Sequence, residues 1–221
     1  MVEGCIDLNQ TRIGVVADDL TGALDTAGAF ASRGLRSRAL TAPADKMDAR
    51  FDGDVAIVNT HTRNVDAALA IAPAHRAAKE LSDSGWSRLY KKVDSTARGN
   101  LAAECKAVMD AQEAVAAIVC PAFPRMGRTV VDGILMVNGA PVTQSIEGSD
   151  DLSAVPSDSL LELMTLEEEL TPGLVPLSVV REGVKEVRSK VSKLIERGCN
   201  ALVIDAETDS DLQTIAEYSK G

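Results

Sequence analysis

The sequence predicts an α/β protein built on an open, largely parallel sheet with helices on both faces, and three observations carry that expectation. Strand-length apolar runs recur at 13–17, 55–58, 89–93, 116–119, 174–179 and 201–204, and all but the fourth are followed by a segment with helical spacing, which is the βαβ rhythm. At 221 residues and 45% hydrophobic the chain can bury a large core without staples. The four cysteines, Cys5, Cys105, Cys120 and Cys199, form no C-x-x-C pair, and His61 and His75 lack metal-ligand spacing, so reduced, buried thiols and no metal site are expected.

The helices follow the strands in order. Helical spacing covers 21–32, 66–82, 101–112, 157–164, 182–196 and 210–218, and Gly34, Gly85 and Gly198 stand just past three of the ends, where a left-handed residue closes a helix. After the fourth strand the rhythm breaks at "CPAFPRMGRTVVDGILMVNGAPV". Pro121, Pro124 and Gly127 enforce a loop there, and Asn138-Gly139 between apolar stretches reads as a two-residue hairpin turn, so a hairpin and loop insertion is expected. The stretch 143–159 is polar, acidic and aperiodic, a long surface loop or lid.

Charge narrows the function. A formal net charge of −10 argues against nucleic acid or an anionic membrane as the main partner, because both require a basic face. The N-terminus has no basic segment leading into an apolar one, and no apolar run approaches the roughly 20 residues of a membrane span, so a soluble, cytoplasmic protein is expected. An anionic ligand would need a local cluster of bases.

Ligands of open α/β sheets sit beyond the carboxyl ends of the strands. Directly after the first four strands come "DDLTG" (18–22), "NTHTRN" (59–64), "DSTARGN" (94–100) and "CPAFPRMGR" (120–128), all rich in groups that bind hydroxyls and anions. Asp18 and Asp19 read either as helix caps or as acceptors for a polyol, one of them able to take a proton as general base, and Gly22 permits close approach. Asp25 reads as a residue that favours the positive end of the helix. Arg63 offers a planar fork for a carboxylate or phosphate, against the alternative of a surface salt bridge. Lys92 and Asp94 share one face of the strand end, Ser95 and Thr96 add hydroxyls, and Arg98-Gly99-Asn100 leads into the next helix with Asn100 at its N-cap. With Arg125 and Arg128 the loop cations number five, a candidate anion site in an acidic chain.

"ADDLTGALD" at 17–25, "NTHTR" at 59–63, "KKVDSTARGN" at 91–100, "PAFPRMGRTVVDG" at 121–133, "VVREGV" and "ALVIDAETDSDL" stand together in this order along nearly the whole chain. In this the sequence resembles the N-terminal sugar-binding domain of the four-carbon acid sugar kinases, formerly a family of unknown function. The resemblance implies ATP-dependent phosphorylation of the terminal hydroxyl of a small sugar acid such as threonate, erythronate or an oxo-tetronate. Carried residue by residue, it makes Asp19 the catalytic contact, with Asp18 as its neighbour, an alternative substrate contact or a cap, and assigns substrate binding to these two, to Arg63 and to Lys92, Val93, Asp94 and Ser95, with Arg98 beside them. It further implies that residues 1–221 are one sugar-acid-binding domain and that the family's C-terminal nucleotide-binding domain is absent from this chain. ATP and Mg²⁺ would then be held mainly by that second domain, in cis or in trans, since no G-x-x-x-x-G-K-[ST] or G-x-G-x-x-G loop is present here. A second copy of the chain is left open as a partner. Ala97 stands where the family commonly has leucine. Two alternatives remain: a stand-alone sugar-acid binding module, and a Mg²⁺-dependent phosphotransferase or phosphatase using Asp18 and Asp19.

Overall fold

The computed structural model describes residues 12–40, 51–86, 88–149 and 154–220. Cys5 and residues 150–153 of the expected lid therefore lie outside the described residues. Strands β1 (Ile13–Ala17), β2 (Ser37–Leu40), β3 (Val55–Asn59) and β4 (Arg88–Lys92) form one sheet in the order β2-β3-β1-β4, with every pairing parallel. Alternation of side chains sends β1 and β3 to both faces. Val15, Ala17, Val55 and Ile57 pack with Ala23 of α1 (Leu20–Ala31), whereas Val16, Ala56 and Val58 pack with Ala74 and Leu81 of α2 (Ala67–Asp83) and with Ala107 and Val108 of α3 (Leu101–Ala111).

The polypeptide then builds a second sheet, which the sequence rhythm did not separate from the first. Strand β5 (Ala117–Val119) leads into an antiparallel insertion of β6 (Arg128–Val131), β7 (Ile134–Val137) and β8 (Ala140–Pro141). Asn138-Gly139 makes the expected two-residue turn between β7 and β8. A second such turn, Asp132-Gly133, joins β6 to β7, and both turns hold positive φ at both residues, as type I′ geometry requires. After α4 (Leu160–Met164) come β9 (Pro172–Val175), α5 (Leu177–Glu182), α6 (Val184–Glu196), β10 (Ala201–Ile204) and α7 (Asp209–Tyr218), and the second sheet runs β5-β10-β9, all parallel.

Several boundaries differ from the expected ones for identifiable reasons. Pro176 ends β9 and takes the N-cap position of α5, so 176–179 is not strand. Gly183 at φ 118° separates α5 from α6, so the helix expected over 182–196 starts at Val184, with α5 standing before it where strand was expected. Helix α4 begins only after Ser159, whose hydroxyl accepts from Glu162 N. The loop over 143–159 is closed at its base, where Thr143 donates its N–H (2.8 Å) and Oγ1 (3.1 Å) to Asp158. Cys105 is buried, and Cys120 and Cys199 are half-buried; all three are free. Burial pushes the thiols of Cys105 and Cys120 up to about 11, so both stay protonated.

Helix α3 is shared between the two sheets. One face meets α2 and the first sheet, while Leu101, Ala102, Cys105 and Met109 enter the core formed by β5, β10, the hairpin and α4. At the end of β10 the fully buried Asp205 accepts the N–H groups of Asp132 (2.8 Å), Gly133 (2.9 Å) and Leu177 (3.0 Å), fixing the hairpin to the second sheet.

Candidate functional site

Because β1, β3 and β4 are parallel neighbours, the segments that leave their carboxyl ends meet at one edge of the first sheet. The main chain ties them together first. Ala17 O accepts from Thr60 N (2.8 Å), and Asp18 O accepts from both Thr62 N (2.9 Å) and Arg63 N (3.2 Å). Side chains repeat the connection. The Asp18 carboxylate is taken by Arg63, Nε donating to Oδ2 at 2.8 Å and Nη2 to Oδ1 at 2.9 Å. Arg63 Nη2 also donates to Asp19 Oδ1 (2.8 Å), and its Nη1 lies 3.7 Å from Asp94 Oδ1.

Asp19 caps α1, its Oδ1 accepting from Gly22 N at 2.9 Å. Its Oδ2 has no protein partner among the described residues. Asp94 is held by Thr96, whose N–H (3.2 Å) and hydroxyl both donate to Oδ2, and by Arg98, with Nε to Oδ2 at 2.9 Å and Nη2 to Oδ1 at 3.1 Å. Burial opposes ionisation of Asp94, yet the hydrogen bonds from Arg98 and Thr96 and the charge of Arg63 outweigh it and hold the carboxyl well below the usual range. Burial likewise works against the charge on Arg63, but its bonds to Asp18 and the surrounding carboxylates raise its pKa. Lys92 moves the other way, lowered chiefly by burial, with the carboxylates of Asp18, Asp94 and Asp19 only partly restoring it. Its Nζ donates to Val93 O (2.6 Å) and makes no ion pair within 4 Å among the described residues.

These side chains surround a cleft of about 660 Å³ between α1 and the 120–128 segment, with the end of β4 as its floor. Asp19, Arg63, Lys92, Val93, Asp94, Ser95 and Arg98 all line it. Asp18 does not: it is 3% exposed and stands behind Arg63. The fork of Arg63, expected to be open to an anion, is thus engaged by the protein's own carboxylates. Gly22 lets Lys92 and Asp19 approach, since a Cβ there would lie 2.7 Å from Asp19 Oδ1 and 3.2 Å from Lys92 Nζ. Of the remaining loop cations, Arg128 lines the cleft while pairing with Glu147 (3.1 Å), and Arg125 points away to Asp209 (2.6 Å). Asn100 occupies the N-cap position of α3, but its amide donates to Thr62 O and Val65 O (2.9 Å each) instead of capping the helix. Ala97 is buried at φ 59°, in the turn that carries Asp94 to Arg98.

The cleft also contains residues that the motif reading did not select. Asp25 and Thr26 of α1 face it, as do Tyr90 and Phe123. Asp25 lies beyond the first helical turn, where neither capping nor the helix dipole accounts for it, and that was the available signal.

Relatives matched by the chain include proteins named D-threonate, 3-oxo-tetronate and D-erythronate kinases. A D-threonate kinase of Cupriavidus necator is 38% identical over 213 residues, covering 91% of this chain and 48% of that protein. A 3-oxo-tetronate kinase of Pseudomonas fluorescens is 30% identical over 208 residues, covering 92% and 48%. The chain therefore spans about half the length of the curated relatives it matches. Among solved structures, a Bordetella bronchiseptica domain crystallised with bound citrate as a domain-swapped dimer superposes with a TM-score of 0.79 at 35% identity, covering 92% of this chain and 49% of that one. The model of the sugar-binding N-terminal domain matches residues 13–220, and the chain belongs to that family.

Proposed function

We propose that this chain is the substrate-binding half of an ATP-dependent kinase that phosphorylates the terminal hydroxyl of a four-carbon sugar acid. One observation carries the reading: beside Gly22 the cleft brings together the Asp19 carboxylate, whose Oδ2 accepts no hydrogen bond among the described residues, and the Lys92 ammonium, which makes no ion pair among them. A hydroxy acid supplies what both lack. Its carboxylate goes to Lys92, and a hydroxyl donates to Asp19, which accepts the proton as general base. Arg63 orients Asp19 through Nη2, and Asp18 holds Arg63 in turn, so Asp18 acts as a positioning residue. Asp94, clamped by Thr96 and Arg98, stays ionised and serves as an acceptor, and the hydroxyl of Ser95 lies on the same wall. The citrate of the Bordetella relative, itself a hydroxy acid, supports this substrate class, and its domain-swapped dimer supports a second copy of the chain as partner.

The nucleotide supplies the phosphoryl group, and its metal ion neutralises the charge that develops there. No group of three His, Cys, Asp or Glu able to hold a metal ion occurs among the described residues. We assign nucleotide and Mg²⁺ to a partner domain. The same arrangement weakens the Mg²⁺-phosphotransferase alternative, because Arg63 takes both Asp18 oxygens. No described helix is long and apolar enough to cross a membrane, and we place the reaction in the cytoplasm, where ATP is available.

Calorimetry of the chain with D-threonate, D-erythronate and 3-oxo-tetronate, followed by ATP-consumption assays with and without a separately produced nucleotide-binding domain, tests the proposal. Binding by the chain alone with turnover only on complementation is expected. Binding of none of the acids overturns it, and steady turnover by the chain alone overturns the division of labour.

A further inference from the structure

We infer that Asp25 is a specificity-determining residue of the cleft, accepting hydrogen bonds from the internal hydroxyls of the bound acid. The inference rests on the sugar-acid reading above and deepens it. Three carboxylates line the cleft, and two already accept from the protein, Asp19 through Oδ1 from Gly22 N and Arg63, and Asp94 from Thr96 and Arg98. Asp25 is exposed to the cleft and has no hydrogen bond or ion pair among the described residues.

Nothing local explains an aspartate there. It is the sixth residue of α1, whose first turn holds no acidic residue, and the dipole effect fades within that turn. Aspartate in a helix interior is less favourable than alanine. Arg33 also lines the cleft, but its guanidinium donates to Ala29 O and makes no ion pair with Asp25. A residue that departs from local preference without structural compensation is expected at functional positions.

The chemistry of the surrounding groups says what Asp25 receives. One turn before it, at Gly22, stands Lys92, the cation assigned to the ligand's carboxylate; Asp25 and Thr26 continue the same face of α1 down the cleft. An ionised carboxylate repels a second carboxylate and accepts from hydroxyls. A ligand that spans from Lys92 to Asp19 in front of Gly22 leaves its internal hydroxyls to face the next turn of α1, where Asp25 reads them.

D-threonate and 4-hydroxybutyrate separate this role from the general one, because the second keeps the carboxylate and terminal hydroxyl but lacks the two between. Titration of the 221-residue chain with each, in wild type, Asp25→Ala and Asp25→Asn, is the experiment. Asp25→Ala is expected to weaken D-threonate about 10-fold and 4-hydroxybutyrate less than about 2-fold, with Asp25→Asn intermediate because its amide oxygen still accepts. An unchanged ratio of the two affinities, or an equal loss of both, overturns the assignment while leaving the sugar-acid reading standing. Failure of the wild-type chain to bind either acid overturns that reading and this one with it. Asp25→Asn, which keeps the side-chain shape, serves where the alanine variant does not fold.

Discussion

Arg63 closes on Asp18 through two parallel hydrogen bonds of 2.8 and 2.9 Å at the point where β1 and β3 both end, with side-chain exposures of only 13% and 5%. The pair is as much a fastening between strand ends as part of a binding surface. Arg63→Ala would leave a buried carboxylate without its partner and should destabilise the fold by about 3 kcal/mol, read from the urea midpoint. Arg63→Lys should restore less than half, since a single ammonium cannot reproduce the fork. An Arg63→Ala protein as stable as wild type would show that the fastening carries little.

Lys92 should behave in the opposite manner. Lys92→Met removes a charge disfavoured by burial, so stability should hold or rise, whereas affinity for the sugar acid should fall by about 1.5–3 kcal/mol with the lost charge-assisted bond. The pH profile follows from the direction of the shift. The ammonium binds the anion only while protonated, and a lowered pKa means that affinity declines with rising pH earlier than for an ordinary lysine. Calorimetry across the alkaline range should show that decline in wild type and a flat response in Lys92→Met.

Gly22→Ala tests close approach. Alanine favours the helix by roughly 0.5–1 kcal/mol, but its Cβ would collide with Asp19 Oδ1 at 2.7 Å. The expected result is a melting temperature near wild type with binding weakened about 10-fold or more, a loss of about 1.4 kcal/mol. Preserved affinity would mean that Asp19 can shift without consequence.

Asp94 makes a prediction in acid. Its folded pKa lies below the unfolded value of about 3.9, so the stability it contributes is complete above that value and is lost as the pH falls through the range beneath it. Asp94→Asn should be less stable than wild type at neutral pH, and the gap should narrow steadily on acidification. A constant gap in denaturant midpoints from neutral pH into acid would contradict the clamp by Arg98 and Thr96.

What could be seen in the sequence tracks how each element is buried. Strands β1, β3 and β10 are covered on both faces and read as continuous apolar runs, which cannot be mistaken for loops. Strand β2, with Ser37 and Arg38 on an edge, carries no such run and escaped notice. The strand-end residues were legible because parallel pairing itself collects them at one edge. Which of them engage one another was not: Asp18 and Arg63 are 45 residues apart, and no spacing rule announces that one will occupy the fork of the other. Asp25 read as a residue for the positive end of the helix, and only the start of α1 at Leu20 shows that it lies beyond that end.

The alanines of α2 and α3 acquire a meaning from where those helices stand. Ala74, Ala77 and Ala78 meet Ala107 in one core, and the short side chains allow the two helices to lie close. Helix α3 in turn carries the second sheet, and the cleft has one wall from each sheet, α1 on one side and the segment after β5 on the other. The aperture of the cleft is therefore gauged by the thickness of an alanine layer that no ligand touches. A bulkier residue at position 78 would act as a shim, spreading the two walls with the polar groups they carry and loosening the grip on a small acid.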